Sequence, residues 1–155
     1  MSDVYENMKV NGIILPGIAK PSGIYLTVAN FSDKLFYTSG KGWTQEGRPA
    51  CTGKIGKDLS VEEGQEAARM SMLNLLGNIE AEIKDLNKIK KIIKVLGFIS
   101  SGDDFFEQTK VLNGASQVLV DIFGEDVGKG ARTAIGVNSL PFNMPVEIEM
   151  IFEIV

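Results

Sequence analysis

The chain has 155 residues, 44 % hydrophobic and 23 % charged, enough to bury a core of ordinary size and too apolar for a disordered segment. Its net charge of −4 argues against bulk nucleic-acid binding, which leans on a cationic surface. Histidine is absent and cysteine occurs once, at Cys51. That excludes Ser-His-Asp and Cys-His nucleophile pairs, histidine-ligated or thiolate-caged zinc, and an internal disulfide.

Residues 1–23 mix Gly and Pro with a short apolar patch, Ile13-Ile14-Leu15-Pro16, and read as a short helix or irregular arm closed by a Pro21-Ser22-Gly23 turn. The first ten residues, MSDVYENMKV, show no basic stretch followed by an apolar one, so no secretory leader is expected. No apolar run is long enough to span a membrane, and a single cysteine suits a reducing cytoplasm. The spans 24–30 and 34–39 predict two strands joined at Phe31-Ser32-Asp33. Gly40, Gly42, Gly47 and Gly53 then mark a loop that carries Trp43, Arg48 and Cys51.

Ser60 followed by Glu63 is a capping box, and Ala68, Met72, Leu75, Leu76, Ile79, Ile83 and Leu86 recur at helical spacing behind it. Residues 88–100 predict a third, long strand, broken at Ser101-Gly102-Asp103-Asp104. Its lysines, Lys88, Lys90, Lys91 and Lys94, read as solvated residues around a strand, with an anion-binding edge as the alternative. A second helix is expected over 108–123, with Gly124 as its stop. A strand over 132–138, a turn through Ser139–Pro145 and a last strand, VEIEMIFEIV, complete the chain. Alternation in that strand puts Val146, Ile148, Met150, Phe152 and Ile154 on one face and Glu147, Glu149, Ile151 and Glu153 on the other.

The order β-β-α-β-α-β-β predicts an α+β layer fold, one mixed sheet with two helices on one face. Phe36, Ile93, Val95 and Ile151 suggest that the other face is too apolar for water and is buried in an oligomer. No repeat, linker or low-complexity tract divides residues 1–155, so one domain is expected, with 1–23 packed on it as an N-terminal extension.

One charge stands out. The chain uses three arginines against thirteen lysines, and one of the three, Arg132, opens the apolar run Ala134-Ile135-Gly136-Val137. A charge within a strand is costly unless paired or used.

Four segments occur in a telling order: YTSGKG near residue 40, SVEEGQEAARMSMLNLLGNI, DFFEQTKVLNGASQVLVDIFGE and GARTAIGVNSLPFNMPVEIEMIFEI. Together they resemble the RidA/YjgF/L-PSP family, which has a chorismate-mutase-like fold. GIILPGIAKPSGIYL resembles a longer subgroup with an N-terminal extension. The resemblance implies a homotrimer whose sheets form a central barrel, with helices outside and clefts between subunits. It also implies hydrolysis of reactive 2-imino or enamine acids to 2-keto acids and ammonia. Other members are described as endoribonucleases or translation inhibitors.

Carried over residue by residue, the arginine that holds the substrate carboxylate falls on Arg132 and the water-positioning glutamate on Glu147. The site tyrosine falls on Tyr25 and the serine-glycine pair on Ser39-Gly40. The polar residue of the second helix falls on Ser116 by spacing or Asn113 by residue type. Where deaminase members commonly carry cysteine, this chain has Ala134; its backbone N–H remains able to orient substrate, whereas thiol chemistry is lost. Gly128 and Gly130 loosen the approach to Arg132.

The chemistry is coherent on its own terms. A guanidinium holds a carboxylate in two parallel hydrogen bonds, and a nearby carboxylate takes a proton from water as it attacks the imine carbon. Water or Tyr25 can protonate the imine nitrogen. No metal or cofactor is required. Against this stand plainer readings: Arg132 in an ion pair with Glu147 or Glu149 across adjacent strands, Tyr25 and Ser39 as packing and turn residues, Trp43 as a loop anchor rather than a cleft wall, and Cys51 as a bystander. Three functions follow: an imine/enamine hydrolase, a non-catalytic binder of small carboxylates at the same cleft, and an endoribonuclease. An acidic chain without histidine argues against the last.

Overall fold

The computed structural model describes residues 3–18, 20, 21 and 23–155; the turn expected at Pro21-Ser22-Gly23 includes Ser22, outside the described residues. A helix, α1 (Val4–Val10), opens the chain and is capped by the Asp3 side chain, which accepts from the Tyr5 N–H. The strands are β1 (Val28–Asn30), β2 (Leu35–Thr38), β3 (Lys41–Gly42), β4 (Thr44–Gln45), β5 (Arg48–Pro49), β6 (Ile89–Ser100), β7 (Ala131–Val137) and β8 (Val146–Ile154). Two long helices, α2 (Val61–Ile83) and α3 (Gln108–Gly128), lie between them.

The main sheet runs β1-β2-β8-β6-β7, with β3 also paired to β8. It is mixed: β6 and β7 are parallel and every other pair is antiparallel. Helices α2 and α3 pack on each other and on one sheet face, as expected, and α1 adds a third helix that packs on α3. Asn7 fixes it there through a 2.8 Å bond from its amide to the Ile122 carbonyl.

The capping box of α2 forms as the sequence spells it: the Ser60 hydroxyl accepts from the Glu63 N–H, and the Glu63 carboxylate accepts from the Ser60 N–H. The apolar stripe of that helix is fully buried, but Leu86 lies beyond it. Lys84 adopts a left-handed conformation that ends the helix, so Leu86 enters the core from a single 3₁₀ turn, Leu86–Lys88. Helix α3 breaks at Gly124 as expected, with φ 76°, and one further turn follows to Gly128.

The first strand is shorter than expected. Only Val28–Asn30 pairs with β2, whereas Ile24, Tyr25 and Leu26 stay exposed. After Thr38 the chain leaves β1 and pairs through β3 with β8, so residues 24–27 lose a ladder partner; what remains is Ser39, whose N–H donates to the Thr27 carbonyl and whose hydroxyl donates to the Leu26 carbonyl. The glycine-marked loop holds a second small sheet, the β4–β5 hairpin, turned by Glu46 and Gly47, both with positive φ.

The alternation of β8 is as expected, with its apolar face buried against the helices. Two residues assigned to the open face belong to this covered one. Phe36 stacks on buried Phe152 at 5.3 Å, and Val95 pairs with buried Met150 and is 3 % exposed. Two register shifts in β6, between Ile89 and Lys91 and between Ile92 and Lys94, break simple alternation along that strand and move Val95 to the helix side. The open face still carries Ile93 and Ile135, 39 % and 40 % exposed, with Ile151 half-buried.

Lys88, at the end of the 3₁₀ turn, and the lysines of β6 do not gather into an anion-binding edge. Lys88 donates to the Ile83 carbonyl, Lys90 pairs with Glu153, Lys91 donates to the Asp126 carbonyl and Lys94 to the Thr133 hydroxyl.

Candidate functional site

Arg132 stands on β7, the sheet's edge strand, level with Val95 of β6. Cross-strand partners share a face, so its side chain is on the helix side. There its guanidinium donates to the Ser116 hydroxyl at 2.9 Å and to the Thr109 carbonyl at 3.4 Å, both on α3. These bonds aim the fork along a cavity of about 250 Å³ lined by Asn113, Ser116, Gly128, Lys129 and Gly130. Both candidates for the polar helix residue therefore border it, and Ser116 is the one that holds the arginine. No carboxylate lies within ion-pair distance of Arg132 among the described residues.

Ala134 pairs with Gly97, where an added Cβ would strike Leu112 of α3, so Ala134 too is on the helix side. It is half-buried against the core and lines neither cavity.

Glu147 pairs with Phe98 and Gly42 on the opposite, open face. It is half-buried, and it has no hydrogen-bond or ion-pair partner among the described residues. Burial, and secondarily the charge of Glu149 two residues along the strand, push its carboxyl above the usual range. Glu149 is itself held by the Tyr37 hydroxyl at 2.5 Å. Gly40 lies directly over Glu147: a Cβ there would come within 2.0 Å of the carboxylate oxygen. A side chain there would have to push the Glu147 carboxylate aside.

Glu147 borders a second cavity, about 420 Å³, with Tyr25, Ser39, Gly40, Lys41, Asn78, Phe142 and Met144. The structure thus brings Tyr25, Ser39, Gly40 and Glu147 together. Trp43 is not among the residues lining it; the indole packs against the core and anchors the loop, while Gly42 and Thr44 on either side reach the cavity. Cys51 is half-buried, and burial raises its thiol pKa, the opposite of an activated thiolate.

The expected companionship of Arg132 and Glu147 on neighbouring strands is incorrect. Strand β6 runs between β7 and β8, and the two side chains leave the sheet on opposite faces. This removes the structural ion pair as well, for Glu147 and Glu149 alike. Lys41 and Asn78 also line the larger cavity, and no motif in the sequence marks either. Lys41 stood next to the serine-glycine pair, and Asn78 was the polar neighbour of Ile79 within the apolar helix; both positions were visible, yet neither residue type signalled a cavity. Among the described residues, no cluster of three or more His, Cys, Asp or Glu is placed to hold a metal, and no helix is long and apolar enough to cross a membrane.

The chain is similar to several known proteins over almost its full length. Protein TCP17 of Trypanosoma cruzi is 36% identical over 151 residues, 97% of this chain and 94% of that protein. The crystal structure of Atu1372 from Agrobacterium tumefaciens, of unknown function, is 38% identical, with a TM-score of 0.88 over 98% of this chain and 92% of the other. A Shewanella oneidensis structure described as a "putative endoribonuclease" is 27% identical, with a TM-score of 0.92 over 99% of this chain and 100% of the other. Residues 6–154 match the family described as "YjgF/chorismate mutase-like, putative endoribonuclease". With two helices on a mixed sheet, a third packed on α3, and that match across nearly all of its length, the chain belongs to the YjgF/chorismate-mutase-like family.

Proposed function

We propose that this protein is a RidA-like hydrolase that deaminates reactive 2-imino or enamine acids to 2-keto acids and ammonia, in clefts between the copies of a homotrimer. The observation that carries the reading is the division of the site. A guanidinium at the sheet edge with no carboxylate partner among the described residues, and a half-buried carboxylate on the opposite face with no hydrogen-bond or ion-pair partner among them, make two half-sites in one chain. When the open faces of three sheets meet as a barrel, the Arg132 edge of one copy adjoins the Tyr25–Glu147 cavity of the next. The exposed Ile93 and Ile135 give that packing an apolar driving force. The whole chain acts as one domain with residues 1–23 packed on it, in a reducing cytoplasm.

The steps need only this chain's residues and water. Arg132 holds the substrate carboxylate. Glu147, ionised but easily protonated because its pKa is raised, takes a proton as water oxygen bonds to the imine carbon. The C=N electron pair moves to nitrogen, which is protonated by solvent or Tyr25. Glu147 then passes the proton it took to the carbinolamine nitrogen, making it an ammonium, and accepts the hydroxyl proton as C=O forms and the C–N bond breaks; ammonia leaves and Glu147 releases that proton to solvent. Ser39, held by the Leu26 carbonyl, and Gly40, which leaves room for Glu147, shape the wall.

Ala134 favours a second reading, carboxylate binding without turnover, since the family's cysteine position carries a methyl group packed on the core. The family description includes endoribonuclease, but a net charge of −4 supplies little of the cationic surface that RNA requires. The deciding assay generates 2-iminobutanoate in situ and follows its decay with wild type and Arg132→Ala. Accelerated decay lost in the variant supports the hydrolase. Decay unchanged by wild type, together with saturable 2-oxobutyrate binding, selects the binder. A monomeric mass in solution overturns the cleft between copies.

A further inference from the structure

The larger cavity has a second polar end that imine hydrolysis does not use. In β3, Lys41 pairs with buried Ile148, so its side chain departs on the helix side, whereas Gly40 and Gly42 share the face of Glu147. Lys41 is half-buried and lines the cavity, and its ammonium has no carboxylate or hydrogen-bond partner among the described residues. Helix α2 packs over β3 at this point. One of its turns presents Asn74, whose amide is paired in both directions with the Thr44 backbone: it accepts from the N–H and donates to the C=O, both at 3.1 Å.

One turn later comes Asn78. It is 7 % exposed, lines the cavity, and has no hydrogen-bond partner among the described residues. Neither the Asn78 amide nor the half-buried Lys41 ammonium is sealed from the cavity, so both open onto it without a protein partner and a bound anion can complete both. Burial also pulls the Lys41 pKa down, a strain that a bound anion relieves.

We propose that Lys41 and Asn78 form a second anion subsite and that the substrate carries a second carboxylate, making it a dicarboxylic 2-imino or 2-oxo acid. This rests on the hydrolase reading for the position of the reacting carbon near Glu147, but the subsite stands on Lys41 and Asn78 alone. Size agrees: about 420 Å³ is more than a four-carbon monocarboxylate fills. A carboxylate fits better than a phosphate: the subsite offers one half-buried ammonium and one amide, the cavity's other lining cation, Lys20, is exposed to solvent, and the pair supplies no nest of backbone N–H groups.

The test is calorimetric binding of the unreactive ketone products to the full-length protein. 2-Oxoglutarate is expected to bind on the order of tenfold or more tighter than 2-oxobutyrate, as one charge-assisted pair implies. Lys41→Met and, independently, Asn78→Leu should each collapse most of that ratio, and Lys41→Arg should keep part of it. Equal affinities in the wild type, no measurable 2-oxoglutarate binding, or a ratio that survives in both variants overturns the subsite. Tighter binding of 3-phosphohydroxypyruvate than of 2-oxoglutarate overturns the carboxylate assignment. The hydrolase reading fails separately: a wild type that shows the binding ratio but does not speed imine decay refutes the reaction and leaves the subsite in place.

Discussion

Arg132 and Glu147 point away from opposite faces of one sheet, with the whole width of strand β6 between their strands. If they work on one substrate, they work from different chains. Two inactive variants, Arg132→Ala and Glu147→Gln, should therefore restore activity when unfolded together and refolded as a mixture. In the proposed homotrimer, random mixing gives about a quarter of wild-type activity, because roughly three-quarters of the trimers are mixed and each of those holds one intact cleft of three. A mixture as inactive as its parents would show that each chain uses its own pair.

Much of this was legible in the residues and some was not. The β8 alternation and the Ser60–Glu63 box are local patterns, written within a few positions, and they fold as written. Strand order is not local. Nothing in GARTAIGVNSLP or VEIE says that β6 will pass between β7 and β8, because that follows from the parallel crossover through α3. The face of Val95 was hidden for a related reason: two irregularities in β6 shift the register, and alternation counted along the sequence does not see them. Tyr25, Ser39, Gly40 and Glu147 were found through the order of family segments, whereas Lys41 and Asn78, which carry no such motif, became visible only once the cavity had a shape.

Gly40→Ala should cost activity more than stability. The added methyl would sit 2.0 Å from the Glu147 carboxylate, which must swing aside. Overpacking of this kind costs about 1–3 kcal/mol when the neighbour is rigid. Glu147 is a side chain with free rotations facing a cavity, so the lower end applies to the fold, while the displaced carboxylate no longer meets the attacking water. Thermal unfolding beside imine decay checks this: a midpoint lowered by only about 2–4 °C with most activity gone is the expected result. Full activity would mean that Glu147 is not the base.

Ser60→Ala tests the fold without touching the site. The serine hydroxyl satisfies the Glu63 N–H at 3.1 Å, and its loss costs about 1 kcal/mol. In a chain of this size the unfolding midpoint should drop by about 2–4 °C, with activity per folded molecule unchanged. Denaturant titration gives the free energy directly, and no change would mean that water replaces the cap at no cost.

The pH profile distinguishes a working Glu147 from an idle one. Its folded pKa lies above the ordinary 4.5, first because it is half-buried and then because Glu149 is close. As a base it must be ionised, so activity should fall as pH drops through that raised value. Glu149→Gln removes the nearby charge and should move this acid limb to lower pH, with little change at pH 8. Stability runs the other way. Between the unfolded and folded pKa values the folded chain holds more protons, so stability is greatest below 4.5, declines as pH rises through the folded value and is level above it. Ionised Glu147 thus destabilises the protein at pH 7, and Glu147→Gln should unfold at a higher temperature there. Well below 4.5 the carboxyl is protonated in both states and the two proteins should coincide. A variant that is no more stable than wild type at pH 7 would place the carboxylate in open water and remove the physical basis for its role as a base at neutral pH.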